Sequence, residues 1–272
     1  MNYTQYEVCE ELQPFVKCYW SLEAPAETVP EKQRIVPDGC MEMIFHYGDQ
    51  YKQYTSTGET MLQPRCFVFG QIITPLEIEP TGISGIIAAR FQPEGFFPFA
   101  SLPLAAMNDR AIPLAELFER DTAISFEERV LHADNNADRV KLIGNFLLGK
   151  VQTTEAITRI ASAAVQVLLE SKGQHSIDEI SDRLQVNRRQ LERKFSEATG
   201  MSPKQFSKIS RLQAALKLIG QGAFNNLTDL ALEAGYYDQA HFIKDFREFT
   251  GVSPKQFYAD SLKLSALFMQ AG

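Results

Sequence analysis

The 272-residue sequence has little of what most catalytic or exported proteins need. It holds one tryptophan, four cysteines and four histidines. No apolar run approaches 18 residues, so no membrane-spanning helix is expected. The opening Met1-Asn-Tyr-Thr-Gln-Tyr-Glu7 lacks the basic and apolar zones of an export signal, and the expected location is the cytoplasm. Cys9, Cys18, Cys40 and Cys66 show no Cys-x-x-Cys spacing and have no histidine pairs nearby. They are read as reduced, buried small hydrophobes rather than as a disulfide framework or a zinc site. His46, His132, His175 and His241 are isolated from one another, without a His-x-His pattern, so a metal-dependent enzyme is not supported. There is neither a Gly-x-Ser-x-Gly elbow nor a phosphate loop. No catalytic residue, metal or cofactor is assigned. The weakest surviving enzyme reading is an alkyl-accepting thiol at Cys66, which stands beside Arg65.

What is present points to two ordinary folded domains. Hydrophobic residues make up 44% of the chain and charged residues 22%, enough apolar material for a core in each half. The net charge of −7 is unevenly distributed. Residues 155–260 carry 14 basic and 13 acidic side chains, whereas residues 1–154 carry 12 and 21. The acidity therefore belongs to the N-terminal half, and Arg188, Arg189, Arg193 and Lys194 crowd one predicted helix in the other.

That second half contains one unit built twice. Thr199-Gly-Met-Ser-Pro-Lys-Gln-Phe206 returns as Thr250-Gly-Val-Ser-Pro-Lys-Gln-Phe257, and the same offset aligns Leu191 with Phe242 and Phe195 with Phe246. Each copy reads as punctuation between helices. Gly200 or Gly251 closes one helix in the left-handed conformation, Ser202 or Ser253 caps the next, and Pro203 or Pro254 occupies its first turn. Upstream, Ile177, Ile180 and Leu184 follow a Ser176 cap, Gln185-Val186 breaks the pattern, and Asn187 caps a helix that turns Leu191 and Phe195 inward. In the second copy Leu227, Leu230 and Ala234 form the first helix, Gly235-Tyr236-Tyr237 the break, Asp238 the cap, and Phe242 and Phe246 the inner face. Helix, tight turn, helix is the arrangement that lays its second helix in the DNA major groove.

The paired units, the run Gly235-Tyr-Tyr-Asp-Gln-Ala-His-Phe242, the run Asp245-Phe-Arg-Glu-Phe-Thr-Gly251 and the Ser-Pro-Lys-Gln-Phe that follows resemble the DNA-binding domain of AraC-type transcription regulators. The resemblance spans about residues 155–260. It implies double-stranded DNA as a partner, with RNA polymerase as a further one, and points to Arg189, Glu192 and Arg193 as readers. The residues themselves suggest the same surface. With Leu191 and Phe195 inward, Arg188, Arg189, Gln190, Glu192 and Arg193 remain for DNA, where a guanidinium can grip guanine O6 and N7 and a carboxylate can accept from cytosine N4. The competing reading is a solvated face joined by Arg188 and Glu192. In the second helix Gln239, Ala240, His241 and Lys244 face outward, and Asp238 and Asp245 weaken the local positive field. The first helix is therefore expected to carry more base specificity, and Lys204 to touch phosphate. Pro203 to Ile219 reads as one helix of roughly 25 Å that holds the two readers apart. Contact with two successive major-groove segments, roughly 34 Å apart, is expected.

The N-terminal half favours short strands, at Phe15–Leu22, Met41–Tyr47, Arg65–Phe69, Leu76–Ile78 and Ile83–Phe91, separated by turn residues. Helices follow near Pro113–Arg120, Ser125–Asp134 and Asn136–Lys150, and are expected to cover the sheet rather than form a dimer seam. The fold class is α+β: a small antiparallel sheet or barrel with covering helices, then an all-α domain of two helix-turn-helix units joined by a long helix. Domains are expected at 1–152 and 153–262, with a linker at Thr153-Thr154 and a tail at 263–272. The runs Leu12–Ser21, Val36–Phe45 and Ala89–Gly95 resemble the domain that precedes such modules in some AraC-type proteins, which implies effector sensing or dimerisation. Trp20, Met43, Phe45, Arg90 and Phe91 are the candidate ligand residues, since aromatic walls plus one cation suit a small organic acid or aromatic ligand. The alternating Trp20, Met43 and Phe45 also fit plain strand core. A ligand-independent regulator, set by abundance or a protein partner, is the rival reading, and a homodimer is compatible with either.

Overall fold

A computed structural model of the chain describes residues 1–55, 58–151, 155–222, 224 and 226–259, with backbone alone for 155–158, 258 and 259. The expected linker at Thr153-Thr154 and the tail at 263–272 lie outside the described residues. The N-terminal half contains β1 (Asn2–Tyr6), β2 (Val16–Ala24), β3 (Gln33–Ile35), β4 (Glu42–His46), β5 (Tyr51–Tyr54), β6 (Thr60–Leu62), β7 (Cys66–Phe69), β8 (Leu76–Pro80), β9 (Ser84–Phe91) and β10 (Ala111–Pro113). Three helices follow: α1 (Leu114–Leu117), α2 (Arg120–Leu131) and α3 (Asn136–Leu148).

The strands form two antiparallel sheets, one of six strands in the order β1-β2-β9-β4-β7-β10 and one of four in the order β3-β8-β5-β6. The larger sheet is covered on both faces, and the two-residue period of its strands assigns each side chain to one of them. Met43, Phe45, Val68, Ile87, Ala89 and Phe91 pack toward the helices, where Phe126 of α2 meets Phe45 edge-on at 5.4 Å and stacks on Phe146 of α3 at 3.8 Å. Trp20, Leu22, Ile44, Ile86 and Ala88 point the other way, toward Ile35 and Ile78 of the smaller sheet. The helices thus cover the sheet, as their amphipathic spacing predicts. The expected helix Pro113–Arg120 is shorter than its pattern: α1 stops at Leu117, and Glu119 accepts hydrogen bonds from the backbone N–H groups of Asp121 and Thr122 to cap α2.

The C-terminal half is helical: α4 (Glu155–Glu170), α5 (Ile177–Leu184), α6 (Arg188–Thr199), α7 (Pro203–Gln221), α8 (Leu227–Glu233), α9 (Gln239–Thr250) and α10 (Pro254–Ala259). Its repeat is exact down to single hydrogen bonds. Thr199 Oγ1 donates to Phe195 O at 2.8 Å and accepts from Met201 N at 3.3 Å; Thr250 Oγ1 donates to Phe246 O at 2.7 Å and accepts from Val252 N at 3.3 Å. Gly200 and Gly251 follow at φ 76° and 75°, where a Cβ would be strained. Ser202 and Gln205 then close a capping box on α7, and Ser253 and Gln256 exchange the same two bonds at α10. One apolar core joins both units, with Leu191, Phe195, Phe206, Leu212, Phe242 and Phe246 essentially without solvent contact. Helix α4 packs on α5, α6 and α7, so the first unit is braced from behind.

Candidate nucleic-acid interface and inter-sheet cavity

In the first unit, Ser176 and Glu179 form a capping box that starts α5, and Gln185 ends it with φ 52°, a left-handed position held by a residue with a Cβ. The Asn187 side chain accepts from Gln190 N at 2.8 Å and starts α6. That geometry turns Leu191 and Phe195 into the core and leaves Arg188, Arg189 and Arg193 exposed on the outside, with Gln190 and Glu192 half-buried.

The three arginines differ in their company. Arg188 Nε lies 3.0 Å from Glu192 Oε1, and its Nη1 lies 3.2 Å from Asp178 Oδ1. The hydrogen bond to Glu192 and the field of Asp178 hold its guanidinium above the ordinary range. Among the described residues, no carboxylate comes within ion-pair distance of Arg189 or Arg193. The solvated-pair reading thus describes Arg188 and Glu192, while Arg189 and Arg193 project unneutralised positive charge.

In the second unit Asp238 accepts from His241 N at 2.7 Å and caps α9. Ala240, His241 and Lys244 are exposed, and Gln239 is half-buried, its Oε1 accepting from Thr228 Oγ1 at 2.9 Å. Lys204 is exposed on the first turn of α7. Asp245 departs from the expectation that it would weaken the outer field. It is 1% exposed and faces inward, where Lys208 of α7 lies at 3.1 Å in an ion pair rather than an aligned hydrogen bond, and His241 Nε2 at 3.5 Å. Desolvation works against the Lys208 charge, but the hydrogen bond to Glu248 and the negative charges of Asp245 and Glu248 hold its ammonium above the ordinary range. The signal was in the spacing, since 245 lies on the inner stripe with 242, 246 and 249.

The N-terminal half leaves these outer faces open and packs elsewhere. Asn108 Nδ2 donates to Gly200 O at 2.9 Å, Gln213 Nε2 donates to Pro37 O at 2.6 Å, and Val36 enters the core of the helical half.

Between the two sheets lies a cavity of about 80 Å³, walled by aliphatic residues from both sheets together with Trp20, Asp38, Glu42, His46, Arg90 and Gln213 of α7. Two of the five sequence candidates, Trp20 and Arg90, are on this wall. Met43, Phe45 and Phe91 are not: they sit on the opposite face of the sheet in the helix-covered core, because a residue between two cavity-facing positions of a strand must point away. Glu42 and His46, which sequence reasoning passed over, take the inward positions of β4. Arg90 Nη2 is hydrogen-bonded to Asp38 Oδ2, its Nη1 is 3.8 Å from Glu42 Oε1, and Trp20 Nε1 donates to Glu42 at 3.0 Å. Burial pushes the Glu42 carboxyl up to about 7, against the Trp20 hydrogen bond, and pulls the His46 imidazole down to about 4.

The cysteines are free thiols. Cys40 and Cys66 are buried and Cys18 half-buried, but Cys9 is exposed, contrary to expectation. Burial raises the Cys66 thiol far above its ordinary value, the reverse of what a nucleophile needs. No helix among the described residues is long and apolar enough to cross a membrane.

Residues 180–260 match the family described as "Helix-turn-helix domain", and residues 4–113 match "Domain of unknown function (DUF6597)". An uncharacterized HTH-type transcriptional regulator of Haemophilus influenzae is 32% identical over 99 residues, 36% of this chain and 33% of that protein. The HTH-type transcriptional regulator ArgR of Pseudomonas aeruginosa is 33% identical over 79 residues, 29% of this chain and 24% of that protein. The chain thus matches a third or less of the length of these curated relatives. Among solved structures, ToxT of Vibrio cholerae aligns over 89% of this chain and 98% of its own, at 12% identity and a TM-score of 0.47. A Chromobacterium violaceum transcriptional regulator, titled as an AraC-type DNA-binding domain-containing protein, aligns over 37% of this chain and 90% of its own, at 26% identity and a TM-score of 0.35.

Proposed function

We propose that this chain, whose residues 180–260 match a helix-turn-helix domain behind a domain of unknown function, is a cytoplasmic, sequence-specific DNA-binding transcription regulator of the AraC type that reads two successive major-groove segments. The observation that carries this is the repeat of one helix-turn-helix unit, side-chain-capped at each helix start and with the same exit, each presenting an exposed outer face on its second helix. In this reading Arg189 and Arg193 grip base edges, with Gln190 and Glu192 beside them. Arg188 is steered by its carboxylates toward the phosphate backbone. In the second unit Gln239, Ala240, His241 and Lys244 meet the groove with little positive charge, so that unit mainly positions, and Lys204 anchors phosphate. RNA polymerase is the further partner that such a regulator engages, and a homodimer through the N-terminal half is compatible with two readers per chain.

The N-terminal half supplies control by a small molecule. Support comes from the cavity, whose wall includes Gln213 of α7, the helix that spaces the two readers; Gln213 also donates to Pro37, next to the ion-paired Asp38. A ligand there touches the part that sets reader spacing. Selection from a random DNA pool with the full chain at two salt concentrations tests the DNA reading: enrichment of a bipartite motif supports it, and a folded protein that enriches nothing contradicts it. DNA affinity that no metabolite changes would favour control by abundance instead.

A further inference from the structure

Resting on the effector reading above, we propose that the cavity takes a small organic cation, an alkylammonium with one positive nitrogen on a short apolar body. The wall carries two carboxyl groups, Asp38 and Glu42, against one guanidinium, Arg90. Arg90 is ion-paired with Asp38 and lies 3.8 Å from Glu42, so its charge is already answered from the same wall. An entering anion meets two negative neighbours for one positive, whereas an entering cation meets the excess carboxylate. The organic acid that Arg90 suggests in the sequence is thereby disfavoured.

Of the two carboxyl groups, Glu42 is the one that Arg90 answers less closely. It sits on β4 at the centre of the six-stranded sheet, yet 21% of its side chain is accessible, and that surface opens onto the cavity. Trp20 Nε1 donates one hydrogen bond to Oε1, and the Trp20 indole lines the cavity beside it, a second feature that favours a cation. Burial raises the Glu42 carboxyl against the hydrogen bond from Trp20.

Another part of the wall has the same polarity. Gln63 Nε2 donates to Gln53 Oε1 at 3.4 Å, which turns Gln63 Oε1 toward His46 Nε2 at 3.2 Å. The imidazole proton then resides on Nε2, and Nδ1 is a buried acceptor with no partner among the described residues. Glu42, which already accepts from Trp20, and His46 Nδ1, which has no partner among the described residues, are both acceptors. A ligand that donates matches this polarity better than one that accepts. Leu22, Ile35, Ile44, Ile78 and Ile86 supply the apolar remainder, and a volume of about 80 Å³ holds on the order of six non-hydrogen atoms before any side chain moves.

Pentylammonium, 1-pentanol and pentanoate form a series of matched length and opposite charge. The only tryptophan of the chain lines the cavity, so Trp20 fluorescence of the full-length protein at pH 8 reports binding at this site. The expected order is pentylammonium tighter than pentanol, and pentanol tighter than pentanoate, with Glu42→Gln weakening pentylammonium at least tenfold and pentanol less than threefold. Pentanoate binding as tightly as pentylammonium in the wild-type protein overturns the proposal, whatever the variant does. So does pentylammonium binding unchanged by Glu42→Gln, or no response to any of the three at tens of millimolar. DNA affinity is measured separately at saturating pentylammonium. Binding without a change in that affinity supports the ligand class and counts against the effector reading.

Discussion

At the scale of single residues, the three arginines of α6 show why composition alone does not locate a reader. Arg188 is held by Asp178 and Glu192, whereas Arg189 and Arg193 present their guanidinium groups to solvent. Arg189→Ala is expected to cost about 1–3 kcal/mol of specific DNA binding and to relax preference at one base pair. Lys204→Ala should weaken cognate and random DNA alike and lower the salt slope by about one. Equal losses on both DNAs for Arg189→Ala would remove it from the base readers; titrations by fluorescence anisotropy at several salt concentrations measure both. Between the two sheets, Glu42 and His46 tie stability to pH in opposite senses. The folded Glu42 pKa of about 7 lies above its ordinary 4.5, so its protonated form stabilises the fold below 4.5 and this contribution is lost as pH rises through 7. The folded His46 pKa of about 4 lies below 6.5, so its contribution is present above 6.5 and lost as pH falls through 4. Glu42→Gln should accordingly raise Tm at pH 8 relative to wild type, with the difference shrinking toward pH 5. A constant difference across that range would place the Glu42 charge elsewhere.

At the scale of elements, the helix-turn-helix units are stated almost completely by their punctuation. Ser176, Asn187, Ser202, Asp238 and Ser253 all cap where the spacing places them, because each cap is a local hydrogen bond between residues three apart. Gln185 shows the limit of such reading. The break was visible, but not that a non-glycine residue would hold φ 52° there. Gln185→Gly should therefore stabilise the chain by up to about 1 kcal/mol in urea unfolding, the strain relieved outweighing the added freedom of the unfolded chain; destabilisation would mean that the Gln185 side chain matters more than its backbone. Asp245 and Lys208 illustrate a different gap. Their ion pair ties α9 to α7 across 37 residues of sequence, and long-range pairing of this kind leaves no local pattern. Removing the ammonium with Lys208→Met strands the buried Asp245 carboxylate and should cost about 3 kcal/mol. Strands β1, β3, β5, β6 and β10 were not legible for a related reason: they are short, and their pairing partners, not their own residues, make them strands.

At the scale of the whole molecule, the two halves meet through a few specific contacts. Gly39, at φ 79°, approaches Phe206 of α7 so closely that a Cβ would lie 2.7 Å from its ring. Gly39→Ala should push the N-terminal half away from α7 and weaken the Gln213–Pro37 bond, so that any effector response falls while DNA binding persists. A response equal to wild type in DNA titrations with ligand would separate the cavity from the readers. The contact was invisible in the sequence, as was the cavity itself, since neither Gly39 nor Gln213 belongs to a repeating pattern. The doubled helix-turn-helix unit, by contrast, was written twice in the chain and could be read from the repeat alone. The most direct test of the account is a hydroxyl-radical footprint of the full chain on a selected DNA site. Two protected segments on one face of the duplex, with centres about 34 Å apart, are predicted. A single protected segment, or two separated by half a helical turn, would contradict the double-reader account.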